Sequence, residues 1–202
     1  MTPPRKNAYR MKRFFDITLA LVALIIWAFP MFIIAVAIKV FSPGPILYSS
    51  DRIGKNNAIF SMPKFRSMRT DAPQLPTHLL AESQNWITPI GKFLRKTSLD
   101  ELPQLWSILT GRMSFVGPRP ALFNQEDLVA ARTEKSIHNL VPGLTGWAQI
   151  NGRDEISIKE KVSFDKYYLD HCSLLLDIKI ILLTFIKVVR SDGIKQADRK
   201  PN

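Results

Sequence analysis

Two adjacent carboxylates, Asp100 and Glu101, are the residues whose types and setting best suit a chemical role. They follow Arg95 and Lys96 at the predicted start of a helix, where nearby positive charge and the helix dipole favour ionised acids. An ionised aspartate can attack phosphorus, as it does in enzymes that pass through an aspartyl phosphate. The pattern therefore predicts phosphoryl chemistry, with Asp100 as the candidate nucleophile.

A purely structural interpretation of the same acids is also open. Ser98 and Glu101 have the spacing of a capping box, in which Glu101 would reach back to the backbone amide of Ser98, and spacing alone favours this interpretation. Pro103 fits it poorly. A cap at Ser98 places the proline at the fifth helical position, where a hydrogen bond is lost, whereas a cap at Asp100 places it where the missing donor is harmless.

Phosphoryl transfer also requires cations that neutralise the phosphates of the substrate. The candidates that come from loops or from segments expected to face the site are Lys64, Arg66, Arg95, Arg119 and Arg153. Alternation along an extended segment puts Lys64 and Arg66 on one face. Asp100 and Glu101 are hard oxygen ligands, which suit Mg²⁺ rather than zinc.

Other residues that could bind a metal or act as nucleophiles are read as structural. His78, His138 and His171 lack the spacing of metal ligands, and the single Cys172 is assigned to packing. The sequence also contains no Walker-type phosphate loop and no dinucleotide fingerprint. Any nucleotide must therefore be bound by another architecture.

The elements that position these residues are predicted to form an α/β domain that is mostly α with a small β element. Apolar periodicity and turn residues predict strands at residues 46–48 and on both sides of Pro63, and helices at residues 90–95, 99–109, 156–170 and 174–189. Loops are predicted at residues 71–84, 111–120 and 142–153. The helix at residues 99–109 would carry one apolar stripe, formed by Leu102, Leu105, Trp106 and Leu109. The helix at residues 174–189 is expected to lie along an interface.

Residues 17–38 form an uncharged apolar run of 22 residues. As a helix it would be about 33 Å long, which is enough to cross a bilayer. Pro30 would kink this helix, and basic residues flank it on both sides, with Lys12 and Arg13 before it and Lys39 after it. Because basic flanks prefer the cytoplasmic side, we expect a re-entrant helix rather than a straight span.

The composition fits one catalytic unit with a membrane anchor. The 202 residues carry 28 Lys and Arg against 17 Asp and Glu, a formal charge of +11 that favours anionic partners. We divide the chain into a basic flank with a re-entrant membrane helix at 1–41, a compact catalytic domain at 42–190 and a flexible tail at 191–202. A homo-oligomer is compatible with this division.

Six segments, in order, resemble the bacterial sugar transferase family, the small monotopic phosphoglycosyl transferases. They are KRFFD at 12–16, SPGP at 42–45, KFRSM at 64–68, SLDELPQ at 98–104, MSFVGPRP at 113–120 and PGLTGWAQINGR at 142–153. The resemblance extends from about residue 12 to residue 189. It departs at the helix break, where Phe29 precedes Pro30 and the family usually has serine.

The resemblance implies an enzyme at the cytoplasmic face of the bacterial inner (plasma) membrane, with a Mg²⁺-dependent Asp100–Glu101 dyad. Asp100 would take a sugar phosphate from a UDP-sugar, release UMP and pass the group to undecaprenyl phosphate. Lys64, Arg95 and Arg119 match basic positions of the family's motifs. The expected role is the first membrane step of glycan synthesis, such as O-antigen, capsule, exopolysaccharide or glycoprotein synthesis.

Two alternatives remain. The short chain resembles members that use N-acetylated amino or deoxyamino sugars, and the alternative is the same chemistry with a hexose donor such as UDP-glucose or UDP-galactose. From another class, a basic membrane scaffold without catalysis would need only the charge and the anchor. A nucleic-acid partner is not expected, because aromatic residues are not interleaved with the basic ones.

Overall fold

The computed structural model describes residues 6–72, 83–152 and 156–189. The described chain is mostly helical and has two small two-stranded sheets. Its helices are α1 (Lys6–Phe41), α2 (Ser83–Trp86), α3 (Pro89–Thr97), α4 (Gln104–Leu109), α5 (Glu126–Glu134), α6 (Trp147–Asn151), α7 (Ile158–His171) and α8 (Leu174–Val189). Its strands are β1 (Leu47–Ile53), β2 (Ile59–Phe65), β3 (Ser114–Val116) and β4 (Gly143–Thr145). The predicted tail at 191–202 and most of the predicted loop at 71–84 lie outside the described residues.

Helix α1 spans 36 residues and continues through Pro30. Within the described chain it is the one helix that is long and apolar enough to cross a membrane. Before the proline, Ala20 packs against α4 and β2, and after it Ile34 and Ile38 pack against β2 and α3. The opposite side is exposed and apolar, with residues such as Phe29. Residues on both sides of Pro30 therefore contact one domain.

The N-terminal part of α1 is fixed to the domain by polar contacts. Lys12 Nζ lies 2.7 Å from Asp177 Oδ2 on α8, and Arg13 donates from Nη1 and Nη2 to the carbonyls of Ile108 and Leu109, each at 2.5 Å. These carbonyls lie at the C-terminal end of α4, where the last carbonyls of a helix lack the usual intrahelical partner. The two cations predicted to flank the membrane thus contact the protein itself, and their role beside the membrane stays a prediction.

Strands β1 and β2 form an antiparallel hairpin in which Leu47 pairs with Phe65 and Ser49 with Pro63. The prediction of two short strands interrupted by Pro63 is wrong, because the proline lies inside one continuous strand. Both strands of a two-stranded sheet are edges, where a missing N–H is tolerated. The first strand also extends to Ile53, well beyond the predicted residues 46–48.

Two of the three segments predicted as loops, residues 111–120 and 142–153, contain regular structure. Strands β3 and β4 pair in parallel, with Ser114 opposite Gly143 and Val116 opposite Thr145, and α6 follows directly. A Cβ on Gly143 would lie 2.1 Å from the Gly117 nitrogen, so this close approach of two backbones requires glycine. The parallel pair brings the segment at 117–121 to a fixed place beside β4.

The helix predictions hold best at the C-terminal end. Helix α8 has the predicted bounds, and α7 begins two residues later than expected, where Ser157 forms a capping box with Glu160. The predicted helix at 99–109 is instead a 3₁₀ turn at Leu99–Glu101 followed by α4. Its expected stripe is also incomplete, because Leu105 is buried whereas Trp106 is 64% exposed.

Candidate active site

The Asp100–Glu101 pair lies at the junction between α3 and α4. Ser98 ends α3 in the left-handed conformation at φ 58°, and its side chain makes no capping hydrogen bond. The capping-box interpretation is therefore wrong, and Glu101 is directed elsewhere. Pro103 starts α4 as its N-cap residue, where a missing N–H costs nothing. A 3₁₀ turn at Leu99–Glu101 thus connects α3 to α4. This turn places the two carboxylates between the two helices.

Asp100 is 8% exposed and makes no hydrogen bond or ion pair within the part of the chain that the structure describes. Burial raises the pKa of the Asp100 carboxyl above its ordinary value, and the charge of Lys64 offsets this only in part. The negative charge of Glu101 raises the pKa further. Sequence reasoning expected basic neighbours to keep both acids ionised, and burial opposes that at Asp100.

Glu101 is held by two cations from distant parts of the chain. Lys64 Nζ on β2 donates to Glu101 Oε1 at 2.7 Å, and Arg119 Nη2 donates to the same oxygen at 3.0 Å. Burial alone would raise the pKa of Glu101, but the charges and hydrogen bonds of Lys64 and Arg119 outweigh it. The pKa of Glu101 consequently lies well below its usual range, and this carboxylate stays ionised.

The segment that carries Arg119 is fixed on both sides. Before it, the Gly117 amide donates to the Thr145 carbonyl at 2.9 Å, and the Gly143 amide donates to the Pro118 carbonyl at 2.9 Å. After it, the Ile53 amide donates to the Ala121 carbonyl at 2.9 Å. Arg119 therefore projects from a rigid segment.

Of the other predicted cations, one joins this cluster and one does not. Arg95 donates from Nε to Ser67 Oγ at 2.8 Å. Burial lowers the pKa of Arg95, and the charge of Asp100 acts in the opposite sense. Arg66 is buried and donates to the Pro43 and Ser42 carbonyls at 2.7 and 2.6 Å. The alternation that would put Arg66 on the same face as Lys64 ends with β2 at Phe65. The Arg66 side chain is therefore directed towards the end of α1. Arg153 lies outside the described residues.

A further cation of the cluster, Arg52 on β1, was missed from the sequence. Its Nη1 donates to the Pro120 carbonyl at 3.4 Å and its Nε to Ser50 Oγ at 3.2 Å. Burial, together with the charge of Arg119, lowers the pKa of Arg52 to about 10, with Glu101 acting in the opposite sense. The pairing register of β1 and β2 could have indicated Arg52. Tyr48 lies opposite Lys64, and alternation along β1 then puts Arg52 on the same face of the sheet as Lys64.

The resemblance predicts that Asp100 and Glu101 bind Mg²⁺, and their surroundings bear on that prediction. Over the described ranges, no group of three or more His, Cys, Asp and Glu side chains lies together as in an all-protein metal cage. Mg²⁺ is commonly held by one or two carboxylates, with water and substrate phosphates completing the shell. Asp100, with no partner among the described side chains, and Glu101, whose Oε2 makes no hydrogen bond there, supply that number. The donor set therefore fits Mg²⁺.

A carboxylate pair beside a cluster of cations is typical of enzymes of phosphate chemistry, and the domain packs on a helix long and apolar enough to cross a membrane. The chain belongs to the bacterial sugar transferase family, whose sequence model matches residues 7–191. The predicted resemblance is thereby confirmed.

Three relatives differ in the sugar that their names give and in how much of their length this chain covers. The chain is 39% identical over 190 residues to the Uncharacterized sugar transferase EpsL of Bacillus subtilis (strain 168), covering 93% of this chain and 92% of that protein. It is 40% identical over 184 residues to the UDP-glucose:undecaprenyl-phosphate glucose-1-phosphate transferase of Escherichia coli (strain K12), covering 88% and 40%. It is 33% identical over 192 residues to the UDP-N-acetylgalactosamine-undecaprenyl-phosphate N-acetylgalactosaminephosphotransferase of Aeromonas hydrophila, covering 91% and 44%.

The chain thus spans nearly all of the first relative and less than half the length of the other two. The matched part includes the carboxylates and the cations of the site. The chain is accordingly a transferase of phosphosugar groups, and the scaffold alternative is set aside.

Proposed function

We propose that this enzyme transfers a sugar 1-phosphate from a UDP-sugar to undecaprenyl phosphate and releases UMP. The observation that carries the proposal is the carboxylate of Asp100, which has no partner among the described residues and is buried beside Glu101 and its two cations, Lys64 and Arg119. A buried carboxylate without a partner costs free energy and does not stabilise the fold. A role in the reaction with phosphorus accounts for its presence. The names of the Escherichia coli and Aeromonas hydrophila relatives supply the donor and acceptor classes.

The proposed reaction has two steps. In the first, an Asp100 carboxylate oxygen forms a bond to the sugar-linked phosphorus while the bond from that phosphorus to UMP breaks, and UMP leaves with the electron pair. In the second, a phosphate oxygen of undecaprenyl phosphate attacks the same phosphorus, and the bond to Asp100 breaks, which restores the carboxylate. Such a route predicts ping-pong kinetics.

The cations of the cluster bind the phosphates in this proposal. Lys64 and Arg119 are oriented by Glu101, so their charges are in place before the substrate arrives and need little reorganisation. Arg95, which interacts with the charge of Asp100, and Arg52, which interacts with that of Glu101, add further positive charge. Arg153 remains a predicted phosphate ligand. Mg²⁺, held by Asp100 and Glu101 together with substrate phosphates, would supply further neutralisation of the diphosphate.

The proposed donor carries an N-acetylated amino or deoxyamino sugar, with UDP-glucose and UDP-galactose as the competing donors. The relatives' names include both glucose and N-acetylgalactosamine. The reaction would be the first membrane step in making a glycan, such as O-antigen, capsule, exopolysaccharide or a glycoprotein glycan.

We also propose that α1 enters and leaves the membrane on its cytoplasmic side, as a re-entrant helix of the inner membrane. The support is that Ala20, before Pro30, and Ile38, after it, pack on the same domain. A straight span would carry one of these ends across the bilayer, away from that domain. Helix α8 adds an exposed apolar side that includes Leu182 and Phe185, which suits an interfacial position.

The test uses the full chain in detergent or lipid, with a panel of UDP-sugars, undecaprenyl phosphate and Mg²⁺. We expect UMP release with one donor, loss of release without Mg²⁺ and loss in Asp100→Asn. Asp170→Asn, which changes an exposed aspartate on α7, is the matched control and should retain activity. Turnover by a folded Asp100→Asn protein would contradict the nucleophile assignment.

A further inference from the structure

A buried ion pair behind the active site joins α5 to α7. Arg132 on α5 is 8% exposed and Asp165 on α7 is 1% exposed. Arg132 donates from Nε and Nη2 to Asp165 Oδ2 at 2.9 and 2.6 Å. Neither residue belongs to the motifs on which the sequence analysis relied, and neither touches the carboxylates of the site.

The same guanidinium reaches the segment that carries Arg119. Arg132 Nη1 donates to the backbone carbonyl of Arg119 at 2.8 Å. The side chain of Arg119 in turn donates to Glu101. A continuous chain of contacts therefore runs from Asp165 through Arg132 and Arg119 to the carboxylate beside the nucleophile.

We propose that Arg132, oriented by Asp165, is a positioning residue for phosphosugar transfer, which holds the Arg119 backbone so that its guanidinium meets Glu101. The inference rests on the proposed function for its reaction. Stability alone is a weak reason for such a pair, because well-packed apolar residues often stabilise a fold as well as a buried ion pair does. The planar fork of arginine supplies donors in fixed directions, two to Asp165 and one to Arg119.

Lysine at position 132 separates the positioning role from the structural one. Arg132→Lys keeps a positive charge opposite Asp165, but a single ammonium cannot reproduce the three directed bonds. A displacement of about 1 Å at a reacting centre costs on the order of a hundredfold in rate. We expect Arg132→Lys to lower kcat/KM for UMP release at least tenfold while the thermal midpoint stays close to that of the wild-type enzyme.

A double-mutant cycle with Arg119→Met tests the route of the effect. If Arg132 acts through Arg119, Arg132→Lys should change kcat/KM less than twofold once the Arg119 guanidinium is gone, because coupled residues are not additive. Equal factors in both backgrounds would show a general structural effect and overturn the proposal. So would a folded Arg132→Lys enzyme with activity within twofold of wild type.

Two further variants cover the remaining outcomes. Arg132→Lys could unfold, or Arg119→Met could have no measurable turnover. In either case, the double variant Arg132→Met with Asp165→Leu is used, because it removes both charges of the ion pair together. The proposal requires this folded double variant to lose at least tenfold in kcat/KM. Lys166→Met, on the same helix α7, is the control that should match wild type.

Hydrogen exchange of residues 114–122 provides a readout besides activity, and it should accelerate in Arg132→Lys. Unchanged exchange would overturn the proposal whatever the activity. If the wild-type enzyme released no UMP with any donor, the proposed function would be contradicted instead. The hydrogen-exchange result would still decide whether Arg132 holds residues 114–122 in place.

Discussion

Replacing Glu101 by glutamine removes the charge that holds two cations beside Asp100 while keeping the size of the side chain. The bond to Lys64 joins groups that are each 18% exposed, and a charge-assisted bond of this kind contributes about 1.5–3 kcal/mol. The bond to Arg119, whose side chain is 42% exposed, adds about 0–1 kcal/mol. Because glutamine still offers an acceptor oxygen, we expect Glu101→Gln to lower the free energy of unfolding by about 1–2 kcal/mol.

The pH dependence of this loss has a defined sign. The pKa of Glu101 is lower in the folded protein than in the unfolded chain, so its contribution is present above the unfolded pKa and is lost as pH falls through the folded pKa. The difference between wild type and Glu101→Gln should therefore be largest near neutral pH. It should shrink as the solution is acidified below the ordinary range of glutamate.

Thermal unfolding of the full chain in detergent, followed by tryptophan fluorescence, measures this difference. For a protein of this length, 1–2 kcal/mol corresponds to a fall in Tm of about 2–8 °C. Glu134→Gln, at an exposed glutamate of α5, is the control and should leave Tm unchanged. Equal Tm values for wild type and Glu101→Gln near neutral pH, or a gap that widens on acidification, would refute the reasoning.

Other changes test the remaining parts of the site and fold. Arg52→Met should raise KM for the UDP-sugar about tenfold in the UMP-release assay, since it removes one charge-assisted phosphate contact. Gly143→Ala should lower the free energy of unfolding by about 1–3 kcal/mol in a denaturation assay, because its Cβ would lie 2.1 Å from a backbone nitrogen. Single cysteines at Met11 and Val40, in a Cys172→Ser chain, should both react with an impermeant maleimide in inverted vesicles, whereas a straight span would label only one.

The sequence was most informative where local patterns decide the structure. The apolar period of residues 174–189 gave α8 with its bounds, and the run at 17–38 identified the apolar helix. The carboxylates and the cations Lys64 and Arg119 could be selected by chemistry, because few residue types serve phosphate transfer. Their meeting at Glu101 could not be derived from spacing, since Lys64 lies 37 residues away and Arg119 lies 18 residues away.

The incorrect predictions share a physical cause, which is that a long-range contact decided a local choice. Ser98 has the right spacing for a cap but takes a left-handed conformation because α3 ends there, and Lys64 and Arg119 attract Glu101 away from it. Arg66 is drawn inward by two carbonyls at the end of α1, next to Gly44, whose φ of +118° glycine alone adopts easily. The short strands β3 and β4 exist because two glycine-containing segments can approach closely.

These contacts also link the apolar helix α1 to the site. Strand β2 carries Lys64 to Glu101, and immediately after it Arg66 binds the carbonyls that follow α1. On the other side of the carboxylates, α4 packs on Ala20 through Leu105. Asp100 therefore lies between β2 and α4, which both pack on the apolar helix α1. Under the proposed function, this places the nucleophile at a fixed height relative to the lipid surface, where the phosphate of a membrane-embedded acceptor lies.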